Sequence, residues 1–156
     1  MIGENLTITF KQNIFDTCLN ILFEKSNTLN TVLLELTDEL KNDTKSSMGD
    51  KHETSRAMNQ LEQEKVSNQI TELNKQLTIL QQLNIQLKPV RIILGSLIRT
   101  NLGLVFIAIG LGKIKIEKLD VIVISAHSPL GLAFLAKSKG VTVVLNEMQY
   151  LIQDFI

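Results

Sequence analysis

The chain is poor in the residues that build cross-linked frameworks or aromatic-lined sites. In 156 residues it has one cysteine, two prolines, one tyrosine and no tryptophan. A lone cysteine, Cys18, cannot form an internal disulfide, which points to a reducing compartment. No basic start leads into an apolar core and a small-residue cleavage site, so no secretory signal is expected. The uncharged run of residues 100–112 is too short and too rich in glycine to span a bilayer, which takes about 20 apolar residues. Neither sign of charge is in excess: 16 Lys and Arg balance 16 Asp and Glu, which argues against a globally basic nucleic-acid binder. These absences lead to the expectation of a soluble, cytoplasmic protein with no membrane partner. The balance hides a weak asymmetry. Residues 1–88 carry nine basic against twelve acidic side chains, a net −3, and residues 89–156 carry seven against four, a net +3.

Helix breakers are also missing over long stretches. Between residues 4 and 88 there is no proline, and Gly49 is the only glycine. Gly49 lies in Ser46-Ser47-Met48-Gly49-Asp50-Lys51-His52-Glu53, between two long amphipathic patterns. A glycine there reads as the bend of a helical hairpin, with its tip near residues 43–53. On the first side, over residues 6–42, Phe15, Leu19, Leu22, Leu29, Leu33, Leu36 and Leu40 recur in steps of four and three, with Ser26 filling the gap. That spacing is a coiled-coil seam. On the second side, over residues 50–86, the seam reads Met58, Leu61, Val66, Ile70, Leu73, Leu77, Leu80 and Leu87, with a phase slip near Lys65. Each helix of about 35 residues is about 50 Å long at 1.5 Å per residue. A short polar connection between them makes the pair antiparallel. Such a hairpin buries its own seam, so a monomer is expected.

Lys88-Pro89 ends the helical half, because the residue before proline avoids helical dihedrals. Composition then changes: six of the eight glycines lie beyond this point. Short apolar runs cover residues 90–94, 96–100, 104–109, 113–116, 121–125, 141–145 and 148–155. Glycine-bearing turns separate several of them, which predicts an antiparallel meander. Ser128-Pro129 opens one short helix through about residue 137, with Ser128 as N-cap and Pro129 at the first helical position. Asn146-Glu147 reads as the turn of a last hairpin. The predicted architecture is α+β. A long N-terminal antiparallel coiled-coil hairpin, residues 1–88, precedes a small antiparallel sheet domain with one short helix, residues 89–156.

Two motifs carry a family resemblance. Gly49-Asp50-Lys51-His52-Glu53 matches the Gly-Asp-x-x-Glu of the hairpin tip in the Gre-type transcript cleavage factors of bacterial RNA polymerase. Ser128-Pro129-Leu130-Gly131-Leu132-Ala133-Phe134-Leu135, followed by Lys139-Gly140 and a strand, resembles the more specific helix start of their C-terminal domain. The resemblance covers essentially the whole chain. It implies an FKBP-like C-terminal domain that docks on the polymerase, and a hairpin that enters the secondary channel. At its tip Asp50 and Glu53 would help hold a magnesium ion shared with the polymerase, so that a backtracked RNA 3′ end is hydrolysed. The protein would then be an accessory factor, with no active site of its own, that touches the nascent RNA only indirectly. Ser128, Pro129, Leu130 and Gly131 would belong to the docking segment. The sequence departs from the family after the acids, where Thr54-Ser55-Arg56-Ala57 stands in place of Asn-Ala-Glu-Tyr, where Lys51 replaces an apolar residue, and where Gly140-Val141 replaces Gly-Asp. Those departures motivate an alternative, a non-catalytic regulator in the same channel.

Each signal has a plainer reading beside it. Asp50 and Glu53, three apart on one helix face, are hard oxygen donors suited to Mg²⁺. They are equally a capping pair for the start of a helix, worth about 1 kcal/mol. His52, Lys51 and Arg56 read as solvated, Cys18 as packing, and His127 as a loop residue. With so few aromatics, Phe106, Phe134, Tyr150 and Phe155 read as core rather than as the lining of an isomerase pocket. Arg91, Arg99, Lys113, Lys115, Lys118, Lys137 and Lys139 form either a docking surface or a solvated face. An autonomous enzyme needs a nucleophile, a base and a pocket, and no such set stands out. A bare coiled-coil scaffold leaves the Ser-Pro-Leu-Gly segment unexplained.

Overall fold

In the computed structural model, residues 6–43 and 49–156 are described, with the side chains of 43 and 49–52 outside that description. Two helices come first, α1 (Ile8–Asp43) and α2 (Gly49–Gln82). Six strands and a third helix follow: β1 (Leu97–Thr100), β2 (Gly103–Ala108), β3 (Gly112–Ile116), β4 (Leu119–Ser125), α3 (Pro129–Phe134), β5 (Thr142–Leu145) and β6 (Met148–Phe155). The architecture is the expected α+β. The chain divides into two compact units, one of residues 20–78 and one of the residues up to Leu19 with Ile79–Ile156.

The start of α1 is set by Thr7. Its hydroxyl accepts a hydrogen bond from the Phe10 amide at 3.1 Å and its carbonyl accepts one from the Lys11 amide, as an N-cap should. The threonines inside α1 return their hydroxyls to the carbonyl four residues back, as Thr17 does to Asn13 and Thr31 to Asn27, so the helix tolerates them. α2 ends at Gln82, earlier than the expected residue 86. The Asn84 side chain accepts from the Gln86 amide at 3.1 Å, and the Leu87 amide donates to the Asn84 carbonyl. A local turn thus takes the backbone groups that another helical turn would use.

In the unit containing the sheet, strand order is β3-β4-β2-β1-β6-β5. The expected antiparallel meander is corrected at two places: β1 pairs with the last strand, β6, and β2 and β4 are parallel, with Leu104 opposite Val121 and Ala108 opposite Ser125. β3 hairpins onto β4 instead of onto β2, and β4 slots in beside β2. The sequence carries the reason. Residues 104–109 are a continuous apolar run and are buried along their length, the pattern of a strand covered on both faces. The run 90–94 is no strand. Ile92 is buried and its backbone exchanges hydrogen bonds with Lys137 and Ala136, while Val90 stays 90% exposed. The last hairpin turns at Asn146-Glu147, both with positive φ, the requirement of a two-residue type I′ turn.

One face of the sheet packs on α3. Ile92, Ile98, Val105, Ile107, Phe134, Val143 and Ile152 form a single buried cluster there, and Phe134 meets Tyr150 edge to face with ring centroids 5.7 Å apart. The aromatics Phe106 and Phe134 are fully buried, so they fill core. The same unit also buries Phe10, Ile14 and Cys18 of α1 and Leu80 of α2. No described helix is long and apolar enough to cross a membrane.

Candidate functional site

The unit of residues 20–78 is a helix pair, and two cross-helix hydrogen bonds fix its sense. Asn59 Nδ2 donates to Glu39 Oε2 at 2.8 Å, and Gln63 Nε2 donates to Thr37 Oγ1 at 3.3 Å. Partner numbers rise on α1 as they fall on α2, so the pair is antiparallel, as expected. The seam of α1 is also as expected: Leu22 is buried and Leu29, Leu33, Leu36 and Leu40 are all shielded.

On α2 the expected seam fails toward the acidic end. Met58 and Leu61 are each 66% exposed, and Leu87, past the opposite end of α2, is 50% exposed. Buried Val66 and Leu73 instead continue back in unbroken steps of three and four to Gln63 and Asn59, which are shielded. There is no phase slip. The helix keeps one face inward, and polar side chains occupy it near Gly49 because that face is set by Val66, Ile70, Leu73 and Leu77. The signal was in the sequence: stepping back from Val66 lands on 63 and 59. The apolar Met58 and Leu61, one and two positions from these amides, draw the pattern off that line.

α2 opens at Gly49, so Asp50 and Glu53 lie in its first two turns on one helical face. Asp50 is the second helical residue and not the cap before the helix. Glu53 is exposed to solvent, and so is Arg56, three residues on. The side chains of Asp50, Lys51 and His52 lie outside the described residues, as does the connection 44–48. Beside this end, Leu36, Glu39, Thr54, Ser55, Met58, Asn59 and Glu62 line a groove of about 680 Å³. A second groove of about 1040 Å³, lined by Ile21, Leu29, Leu61 and Leu73 with Glu24, Lys25, Glu64, Lys65 and Glu72 among its charged residues, runs along the same pair. Among the described residues no three His, Cys, Asp or Glu converge to hold a metal.

The Ser128-Pro129-Leu130-Gly131 segment is built as its sequence predicts. Ser128 has extended dihedrals, and its Oγ accepts from the Gly131 amide at 3.0 Å while donating to the Ser125 carbonyl at 2.6 Å. Pro129 is the first helical residue and is exposed. Leu130 packs against the core cluster and Gly131 is buried. A Cβ on Gly131 would overlap the Ser125 carbonyl oxygen. Ser128, Leu130 and Gly131 are thus engaged within the fold, and Pro129 is the member that faces solvent. α3 ends at Phe134, short of the expected residue 137.

Of the cations, Arg91 donates to the Ala136 carbonyl at 3.3 Å, Lys113 lies 3.4 Å from Asp120, and Arg99 lies 3.9 Å from Asp154. Lys115, Lys118, Lys137 and Lys139 are exposed. His127 is an exposed loop residue. Cys18 is fully buried and its thiol is pushed up to about 12 by that burial, so it is no nucleophile at neutral pH. One buried cation escaped the sequence reading. Lys11 is 2% exposed on α1, its Nζ donates to the Ile156 carbonyl oxygen at 3.1 Å, and burial lowers its pKa to about 8. No sequence signal marks it, since a lysine at a helix start normally reads as solvated.

No known family model matches the chain, and no curated protein matches it. Among solved structures, one described as the transcription factor Gfh1 is similar at 18% identity, over 87% of this chain and 91% of that one, with a TM-score of 0.34.

Proposed function

We propose that this protein is a transcription elongation factor that binds bacterial RNA polymerase, inserts its helical hairpin into the secondary channel and promotes cleavage of backtracked RNA. One observation carries the reading. At the closed end of an antiparallel helix pair, α2 begins at Gly49, so that Asp50 and solvent-exposed Glu53 share one face of its first turns. Helices of about 50 Å give such a pair the reach to carry these acids into a channel. The Gre-type motifs at Gly49–Glu53 and at Ser128–Leu135 support the same reading, in which the sheet-bearing unit is FKBP-like in fold and docks on the polymerase.

In this reading the protein has no catalytic centre of its own. Asp50 and Glu53 supply hard carboxylate oxygens, the donor class that Mg²⁺ prefers. Two carboxylates leave most of an octahedral shell unfilled, so the remaining ligands would come from the polymerase and the RNA. A magnesium ion held there lowers the pKa of a bound water and polarises the phosphodiester. The work of this chain is to orient the two carboxylates and to present them where the RNA 3′ end is displaced. Docking through the Ser128-Pro129-Leu130-Gly131 segment would use Pro129, its solvent-facing member. The protein acts as a monomer, because the pair buries its own seam.

A second reading has its own observation. Arg56 is exposed one helical step beyond Glu53, where a positive charge weakens cation binding by the acid. A non-catalytic factor occupying the same channel would have that property. Backtracked elongation complexes of the cognate polymerase separate the two. The first reading expects faster release of the RNA 3′ fragment when the protein is added. Binding that competes with a channel-bound factor, with no gain in cleavage, establishes the second and contradicts the first.

A further inference from the structure

We infer that Glu39–Asn59 and Thr37–Gln63 form a register lock that positions the acid-bearing start of α2, an inference that rests on the proposed function for its consequence but not for its geometry. The seam next to Gly49 is chemically inverted. Asn59 and Gln63 point inward and are shielded, while Met58 and Leu61, one and two residues away, are each 66% exposed. Burial of Met58 and Leu61 would turn this part of α2 the other way, but the rotation set by Val66, Ile70, Leu73 and Leu77 leaves the amides inside. The inversion also carries a cost that packing does not explain, since Asn59 Oδ1 is buried without a hydrogen-bond partner. What the inward amides gain is two directional cross-helix bonds, to Glu39 at 2.8 Å and to Thr37 at 3.3 Å.

A leucine seam permits slippage, because one leucine layer resembles the next. Polar side chains at seam positions have partners in one register only, and they fix it at some loss of stability. In a hairpin, register decides where along the chain the turn falls. A slip of three or four residues moves the start of α2 by about 5 Å along its axis and rotates its face. Asp50 and Glu53 lie six residues or more before Asn59, within about two and a half turns of the lock. Asn59 and Gln63 are therefore positioning residues, acting through the helix that bears the acids.

The test compares the wild-type chain with N59L/Q63L, E39A and the conservative E39Q, which keeps an acceptor for the Asn59 amide. The first readout needs no polymerase. Spin labels replace the exposed Glu24 and Glu62, which lie at well-separated levels along the pair so that an axial slip changes their distance almost one for one, and buried Cys18 stays unlabelled. The wild type and E39Q should give one narrow distance distribution, whereas N59L/Q63L and E39A should gain a second population displaced by about 5 Å or more. A single unchanged distribution in N59L/Q63L overturns the lock. The second readout is stimulated cleavage. At saturating factor N59L/Q63L should fall by at least about tenfold, with the half-saturating concentration unchanged and E39Q near wild type. A broadened distribution with full cleavage overturns the positioning role. A wild-type protein that stimulates no cleavage overturns the proposed function instead, and the distances still judge the lock.

Discussion

The carbonyl oxygen of Ser125 occupies the space that a side chain on Gly131 would need. β4 ends and α3 begins within this contact, so a methyl group there displaces backbone on both sides. G131A should cost about 2 kcal/mol or more, since the overlap is with main chain and not with a flexible side chain. For a protein of this size that lowers the melting temperature by about 4–8 °C. S128A, which removes the cap and the hydroxyl's bond to the Ser125 carbonyl but displaces no backbone, should cost about 1 kcal/mol. Calorimetry of the two variants checks the order.

The phase of the α2 seam makes its own prediction. M58A and L61A remove exposed side chains and should change stability by no more than about 0.5 kcal/mol each. V66A and L73A open cavities in the helix pair and should cost about 1.5–4 kcal/mol each. Equal losses for Met58 and Val66 would mean that Met58 lies in the seam.

Lys11 gives the protein a pH signature. Its pKa is about 8 in the folded chain and about 10.4 in an unfolded one. Between those values the unfolded state holds more protons, so this group makes stability rise with pH across the window. Its contribution is lost as pH falls through about 8. K11M should remove that slope, which is at most about 1.4 kcal/mol per pH unit. Denaturant titrations of both proteins at pH 7.5, 8.5 and 9.5 measure the difference. A slope of equal size in K11M would assign it to other groups.

Much of the fold was legible because it rests on local rules. The alternation of Leu22, Leu29, Leu33 and Leu36 gave α1 its seam, Ser128-Pro129 gave α3 its start, and Asn146-Glu147 gave the last turn. What failed was non-local. Whether β2 pairs with β3 or with β4 depends on how the strands assemble across the sheet, and no turn signal encodes that choice. The start of the α2 seam failed for a related reason. Met58 and Leu61 look like seam residues singly, but a rigid helix takes its rotation from Val66, Leu73 and their neighbours. At the candidate site the positions of Asp50 and Glu53 could be read directly. The inward placement of Asn59 and Gln63 follows from stepping back from Val66, but their bonds to Glu39 and Thr37 could not be read, since those depend on the register between the helices.

The measurement closest to the central claim is RNA cleavage in backtracked elongation complexes with the wild-type chain and with D50A/E53A, alongside binding of each to the polymerase. The account predicts that the wild type accelerates release of the 3′ fragment, and that the double variant binds equally well but loses the acceleration by about 10²-fold or more, as expected when groups that stabilise a transition state are removed. Stimulation that survives loss of both acids, or binding without stimulation by the wild type, would contradict it.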